Sequence, residues 1–215
     1  MTMTSSSKTI FCIVLITLIS LLFGCAHEIP LKGAIEPPAT ISKLPITVGV
    51  YYSPEFKDYQ YVGSRTGDQW KFPLGAASVK LHNQALPVLF MNYFLVQTRP
   101  PFSAGTTECN AVIEPRIEAF DFDLPFLKTG SYGAEITYRY TLYSLKGDPV
   151  ASWIIKGSGA KHGKPGFEFA RWPGEAADLA MQDAVNKFIT TFSEVPEVRA
   201  WLKQNNLPVP ALKSN

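Results

Sequence analysis

The feature that most constrains the fold is the alternation of apolar and polar side chains in two long segments of the second half of the chain. In 111–120 and in 134–145, apolar residues take every second position and charged or hydroxyl residues lie between them. A period of two is typical of strands with one face in a core and one in water. Lys146-Gly147-Asp148 predicts a turn, after which 150–156 returns as a hairpin partner. We therefore predict an antiparallel meander with one charged face.

The other predicted elements flank this meander. Upstream lie a strand over 46–52, a hairpin around Thr66-Gly67-Asp68 and a helix over 75–94 that Pro87 should kink or split. Downstream, a helix begins at Pro173, and a shorter one begins at Pro196. We expect the apolar stripe of the longer helix, which includes Ala180, Ala184 and Phe188, to pack on the meander strand that carries Ile136, Tyr138 and Tyr140 or on the neighbouring strand. The predicted fold class is α+β: an antiparallel sheet with helices packed on one face, preceded by a signal peptide and an extended tether.

The N-terminus has the layout of a secretory signal. Met1–Lys8 is polar, with Lys8 as its one side-chain cation, and Ile10–Phe23 follows without a charge. This run of fourteen mainly apolar residues is too short for a membrane-spanning helix, which needs about 20. The run closes with Leu22-Phe23-Gly24-Cys25.

This tetrad resembles the lipobox of bacterial lipoproteins, which have Leu at −3, a small residue at −1 and an obligatory Cys. The resemblance implies signal cleavage between Gly24 and Cys25, a diacylglycerol on the Cys25 thiol and a further acyl chain, such as palmitate, on its new amine. It also implies outer-membrane sorting, because Ala26 stands where the family's inner-membrane retention signal is Asp. Several acyl chains hold a protein in a bilayer in practice permanently.

Four regions follow from these observations. Residues 1–24 are the signal peptide, 25–45 a lipid-anchored tether, 46–205 a single periplasmic domain and 206–215 a C-terminal tail. The tether is rich in proline, which predicts an extended polyproline-like conformation that spans up to roughly 60 Å.

Charge and cysteine content exclude several kinds of partner and chemistry. The chain has 20 Lys+Arg against 18 Asp+Glu, which gives no basic footprint for nucleic acid and no polybasic membrane patch. After signal removal and lipidation, Cys109 is the one free thiol. It is interpreted either as a small buried hydrophobic residue or as a site for an intermolecular disulfide or redox chemistry. We expect no cofactor.

Motifs for phosphate, metal and acyl chemistry are incomplete. Gly159–Lys164 lacks the first glycine and the hydroxyl of a phosphate-binding loop and is interpreted as a mobile basic loop. No Ser lies in a G-x-S-x-G spacing. The histidines His27, His82 and His162 are far apart, so no metal site is predicted, and His82 is interpreted as a satisfied core histidine.

The carboxylates of the meander leave two interpretations open. Asp121 and Asp123, near Glu114 and Glu118, could form a carboxylate pair for glycoside cleavage. Alternatively, Glu114 and Glu118 could pair with arginines of the same and the neighbouring strand, which would explain the pattern without catalysis.

The connector after the first meander strand is unusually apolar. Phe122, Phe126 and Leu127 are candidate docking residues for a partner protein. The alternative is that this connector folds back on the protein's own core.

The order of elements over about residues 46–192 resembles the periplasmic domains of auxiliary lipoproteins of ABC lipid-transport systems and of lipoprotein activators of peptidoglycan synthases. The resemblance implies a non-enzymatic, lipid-anchored, periplasm-facing accessory or assembly factor of a cell-envelope machine. Its partner would be an envelope protein. The alternatives are an envelope enzyme acting on glycan or lipid through the Asp121/Asp123 region, and a lipid carrier with an apolar cavity between helix and sheet.

Overall fold

The computed structural model describes residues 26–38, 41–102, 108–125, 130–163 and 170–210. These residues form two β-sheets and four helices. The strands are β1 (Ala26–Glu28), β2 (Leu44–Tyr51), β3 (Tyr61–Arg65), β4 (Asp68–Phe72), β5 (Phe90–Val96), β6 (Ala111–Asp123), β7 (Ser131–Tyr143) and β8 (Pro149–His162). The helices are α1 (Pro54–Lys57), α2 (Leu74–Leu89), α3 (Arg171–Thr191) and α4 (Pro196–Gln204), with a 3-10 turn at Phe192–Glu194. Within these ranges, no helix combines the length and the hydrophobicity that crossing a membrane requires.

The larger sheet has the strand order β5-β2-β6-β7-β8. Its β6, β7 and β8 strands are antiparallel neighbours, which confirms the predicted meander and the α+β class. Strand β2 runs parallel to both β5 and β6, so this side of the sheet is parallel. Parallel neighbours need a crossover connection, and the chain between β2 and β5 supplies one that includes α2.

Helix α3 lies directly on the sheet, as its apolar stripe predicts. Ala180 and Ala184 are fully buried and sit over Gly157 and Gly159 of β8, where an added Cβ would come within 2.1–2.2 Å of helix carbonyl oxygens. One turn further on, the ring of Phe188 stacks on Tyr140 at 4.3 Å between centroids. Small residues on both elements therefore let the two backbones approach closely.

Helix α2 ends sooner than its periodicity predicts. Pro87 lies in its last turn, and the chain continues as β5 from Phe90. Proline has no N–H to donate to the carbonyl four residues earlier, which is that of Asn83. The hydroxyl of Tyr93 in β5 donates a hydrogen bond to this carbonyl instead, at 3.2 Å. The helix thus ends at Leu89, two residues after the proline, and a strand residue satisfies the orphaned acceptor.

The smaller sheet has the order β1-β4-β3, and its β1 strand comes from the segment predicted to be a tether. The structure differs from that prediction, because residues 26–36 lie on the domain. Ile29 has no exposed surface. The backbone N–H groups of Lys32 and Gly33 donate to the Asp178 carboxylate of α3 at 3.0–3.1 Å. Buried apolar surface and hydrogen bonds thus outweigh the extended preference that the prolines suggest.

The end of the chain also differs from the predicted loose tail. Leu207 and Val209 pack against the core, and the Arg199 side chain donates to the carbonyl of Pro210 at 3.1 Å. The signal peptide, Cys25 and residues 211–215 lie outside the described residues.

Candidate functional site

The described helices pack on the face of the large sheet that carries Ile136, Tyr138 and Tyr140; we call the opposite face, on which Ile154 is 48% exposed, the open face. On the open side, β6 carries Glu114 and Arg116 at a place where its pairing with β2 has ended. The β2 ladder stops at Ile113, whereas Pro115 still pairs with Tyr140 of β7. Proline cannot donate to a ladder, so its missing N–H faces the side that β2 has left. The result is a gap between β2 and β6 beyond Ile113.

Glu114 is the centre of a polar cluster beside this gap, although only 1% of its surface is exposed. Arg99 donates to both carboxylate oxygens, from Nε to Oε2 at 2.8 Å and from Nη2 to Oε1 at 2.5 Å. Arg116 donates from Nε to Oε1 at 3.1 Å, and the Tyr143 hydroxyl donates to Oε2 at 3.1 Å. The buried carboxylate therefore has four donors and is fully paired, as a buried charge must be.

The electrostatics of the cluster follow from this pairing. Hydrogen bonds to Glu114 raise the pKa of Arg99. Burial, followed by the nearby Glu114 charge, raises the pKa of the Tyr143 hydroxyl. The Arg99 guanidinium also lies 5.6 Å from the ring centroid of Tyr51, a cation–π arrangement. At neutral pH the Arg99 guanidinium thus stays protonated and the Tyr143 hydroxyl stays uncharged. This favours a fixed binding surface over proton transfer.

A surface depression of about 450 Å³ adjoins the cluster. It is lined by Ser53, Glu55, Phe56, Tyr59, Arg99, Arg116 and Ile117. Its formal charges balance, with two arginines, the lining Glu55 and the buried Glu114. A hydrogen bond with Ser53 lowers the pKa of Glu55, so that this carboxylate stays ionised. The depression therefore combines charged and apolar lining residues, and its total charge is close to zero.

The candidate catalytic pair lies elsewhere on the sheet. Asp121 and Asp123 line a second depression of about 240 Å³, together with Glu135 and Ser158. The structure does bring these carboxylates together. The Asp121 side chain is 66% exposed, however, and it forms an ion pair with Arg65. Water and a cation surround it, rather than the apolar environment that prepares a general acid.

The predicted charge pairing of the meander is confirmed. Arg139 on β7 forms an ion pair across the strands with Glu118 on β6, and Arg116 pairs with Glu114 along β6. The sequence analysis did not identify Arg99 and Tyr143, which complete the cluster. Arg99 belongs to no alternating segment, and its approach to Glu114 depends on the course of the chain after β5.

The prediction that Phe122 is a docking residue is wrong. It is 1% exposed and lies in an aromatic cluster between the two sheets. The other members of this cluster are Tyr61, Trp70, Phe72 and Phe120, with ring centroids 4.8–6.4 Å from that of Phe122. The core alternative therefore holds for Phe122. Phe126 and Leu127 lie outside the described residues.

His82 is a satisfied core histidine, as predicted, and only 2% of it is exposed. Its Nδ1 lies 2.7 Å from the Ser78 carbonyl, which can only accept, so Nδ1 donates there. Its Nε2 therefore accepts from the Tyr140 hydroxyl at 2.8 Å. Burial lowers the pKa of His82 to about 4. The described histidines, cysteine and carboxylates form no group of three that could hold a metal ion.

Two further interpretations can be placed in the fold. Cys109 is buried, and burial raises the pKa of its thiol, as expected for a small hydrophobe. The interpretation of 159–164 as a loop is wrong for Gly159–His162, which belong to β8 and pair with β7. Gly159 is needed there because α3 passes directly over it. Lys164 lies outside the described residues.

Comparison with known proteins gives structural likenesses only. No family model matches the chain, and none of the curated proteins matches it. Protein XCC0632 from Xanthomonas campestris, of the family DUF330, is 10% identical with a TM-score of 0.47, over 80% of this chain and 98% of that one. A minor lipoprotein from Acinetobacter baumannii is 9% identical with a TM-score of 0.38, over 76% and 97%. Lipoprotein GNA1162 from Neisseria meningitidis is 9% identical with a TM-score of 0.31, over 58% and 88%. Likenesses of this size support no assignment of function.

Proposed function

We propose that the protein is a bacterial lipoprotein of the cell envelope that is anchored through Cys25, faces the periplasm and assists an envelope machine by binding a protein. The observation that carries the proposal is the tetrad Leu22-Phe23-Gly24-Cys25 at the end of an uncharged apolar run. A folded domain with a closed apolar core follows this tetrad directly. Outer-membrane sorting, implied by Ala26, is part of the proposal.

The packing of α3 argues against the lipid-carrier alternative. A carrier needs an apolar space between helix and sheet that is large enough for an acyl chain. Here the helix backbone lies so close to Gly157 and Gly159 that even one methyl group would overlap it. No acyl chain fits between α3 and β8 in this arrangement.

The enzymatic alternative has a weaker basis than protein binding. The Asp121 side chain is 66% exposed and ion-paired with Arg65. A variant with both Asp121→Asn and Asp123→Asn should therefore retain the protein's effect on the envelope. If that variant folded normally and lost the effect, the enzymatic interpretation would replace ours.

The open face of the large sheet is the surface that we assign to the partner. Its strands carry Arg116 and Arg139, and Arg99 reaches this face from the segment after β5 by pairing with Glu114. Tyr51 and Tyr143 lie beside Arg99 and Glu114. Arginine and tyrosine are enriched at protein interfaces, where they provide many of the strongest contacts. Ile154, which pairs with Arg139 across the strands, is 48% exposed on this face.

Site-specific crosslinking tests this assignment. A photoreactive amino acid at position 154 should give a discrete adduct with an envelope protein in intact cells. The same residue at position 179 is the matched control, because Leu179 is also apolar and 38% exposed but lies on α3. Equal adducts from both positions, or none from position 154, would contradict binding through the open face.

A further inference from the structure

The chain enters the domain at one end of the small sheet. Ala26 pairs with Gln69 in the parallel β1–β4 ladder, next to the Thr66-Gly67 turn that joins β3 to β4. Because β1 and β4 run in the same direction, the chain enters β1 from the side on which Asp68 and the turn begin β4. The lipid attachment point therefore emerges beside this turn.

The segment after the attachment point is bound to the domain along its length. The N–H of Ile29 donates to the carbonyl of Lys71 at 2.9 Å, and its side chain is fully buried. Gly33, at a φ of +55°, packs so closely on α2 that a Cβ would lie 2.6 Å from the Ala77 carbonyl oxygen. Further along, the Asn186 side chain donates to the carbonyl of Glu36 at 3.2 Å. Little of this segment is left to act as a spacer.

The same end of the molecule includes one end of the large sheet. Arg65, which closes the β3–β4 turn, pairs with Asp121 and donates from Nε to the Phe122 carbonyl at 3.3 Å. Asp121 lies beside Glu135 of β7, near the strand ends at which Ser131 pairs with His162. We call the Thr66-Gly67 turn and these strand ends the anchor end. The β7–β8 turn that contains Lys146 lies beyond the opposite end of the strands.

We infer that the domain sits on the membrane by its anchor end, and that the surface of the leaflet holding the acyl chains of Cys25 is what this end contacts. The inference rests on the proposed lipidation of Cys25. One peptide unit, about 3.8 Å between Cα atoms, separates the lipidated residue from β1. Domain length then sets the reach into the periplasm: Glu135 to Tyr143 alone spans roughly 26 Å at about 3.3 Å per residue. A flexible tether of residues 25–45 would have allowed far greater reach and free rotation.

A quenching experiment on the mature lipidated protein in vesicles tests the inference. The vesicles contain phosphatidylethanolamine, phosphatidylglycerol and a lipid with a short-range quencher on its headgroup. In a Cys109→Ala background, a fluorophore is attached either to Thr66→Cys at the anchor end or to Lys146→Cys at the far turn. We expect severalfold stronger quenching at position 66 than at position 146. Equal quenching, or stronger quenching at position 146, would overturn the inference.

A variant with a longer connection is the matched control. About twelve Gly/Ser-rich residues, starting with Ala to keep the residue after Cys25, are inserted before Ala26 and give an r.m.s. span of roughly 20 Å. This insertion should lower quenching at position 66 to near the value at position 146. Unchanged quenching would refute the short connection as the cause of the orientation. Mass spectrometry of the parent protein separates the two proposals: a missing diacylglycerol on Cys25 refutes the anchor itself, whereas a lipidated protein without differential quenching refutes only the orientation.

Discussion

The contact between α3 and β8 gives the sharpest stability prediction. A Cβ on Gly157 would lie 2.1 Å from the Ala180 carbonyl oxygen, 2.5 Å from the Ala184 nitrogen and 2.7 Å from the Ala184 Cβ. Two of these three atoms are helix backbone, so no flexible side chain can move aside. Relief requires a shift of the helix away from the sheet, which opens the packing of its neighbours on the same face. Overpacking of this kind costs about 1–3 kcal/mol and occasionally more, and we expect Gly157→Ala to cost about 3 kcal/mol.

Thermal unfolding of the mature protein in detergent measures this cost. For a domain of this size, 1 kcal/mol corresponds to about 2–4 °C, so the Tm of Gly157→Ala should fall by about 6–12 °C. Gly133→Ala on β7 is the matched control, because its Cβ would meet Asp123 atoms at an ordinary 3.8 Å. The control should leave the Tm unchanged or raise it slightly, since alanine restricts the unfolded chain. Equal Tm values for the two variants would show that α3 does not rest on β8.

Three further predictions concern buried charge and the anchor. Because the pKa of His82 is about 4 when folded and 6.5 when unfolded, the unfolded chain binds more protons between these values. Stability should fall by about 3 kcal/mol as the pH drops from 6.5 to 4, and urea titrations of His82→Gln should lack this component. Glu114→Gln loses charge-assisted hydrogen bonds and should lower the free energy of unfolding by about 1–3 kcal/mol. Glu118 is partly exposed, so Glu118→Gln should lower it by at most about 1 kcal/mol. Similar urea midpoints for the two variants would contradict this difference. Cys25→Ser should accumulate unlipidated precursor, and a normal mature mass in that variant would exclude Cys25 as the anchor.

The antiparallel half of the large sheet could be predicted because its residues carry the information locally. In β7, Ile136, Tyr138 and Tyr140 alternate with polar residues, and all three are buried on the helix side. The small residues of α3 likewise indicate a helix that approaches its sheet closely. One-sided burial produces both patterns, so they appear in the sequence without knowledge of the partner element.

The parallel half and the polar cluster depend on contacts between distant segments. The period of 75–94 suits a helix, but the helix ends at Leu89, and Tyr93 satisfies the Asn83 carbonyl from a strand. The pairing of Arg99 with Glu114 depends on where the chain runs after β5, which no local spacing records. Residues far apart in sequence therefore carry the part of the candidate site that the sequence analysis missed.

The N-terminal segment shows how a few specific contacts override composition. Its prolines favour an extended chain, yet Ile29 fills a fully buried position, and full burial of such a side chain contributes about 1.5–3 kcal/mol. Asp178 accepts hydrogen bonds from two backbone N–H groups of this segment, and such charge-assisted bonds contribute about 1.5–3 kcal/mol each. Releasing the segment would also expose the Trp70 side of the small sheet, on which His27 packs at 4.9 Å between ring centroids. These contacts therefore place the segment on the domain, where composition alone predicts an extended tether.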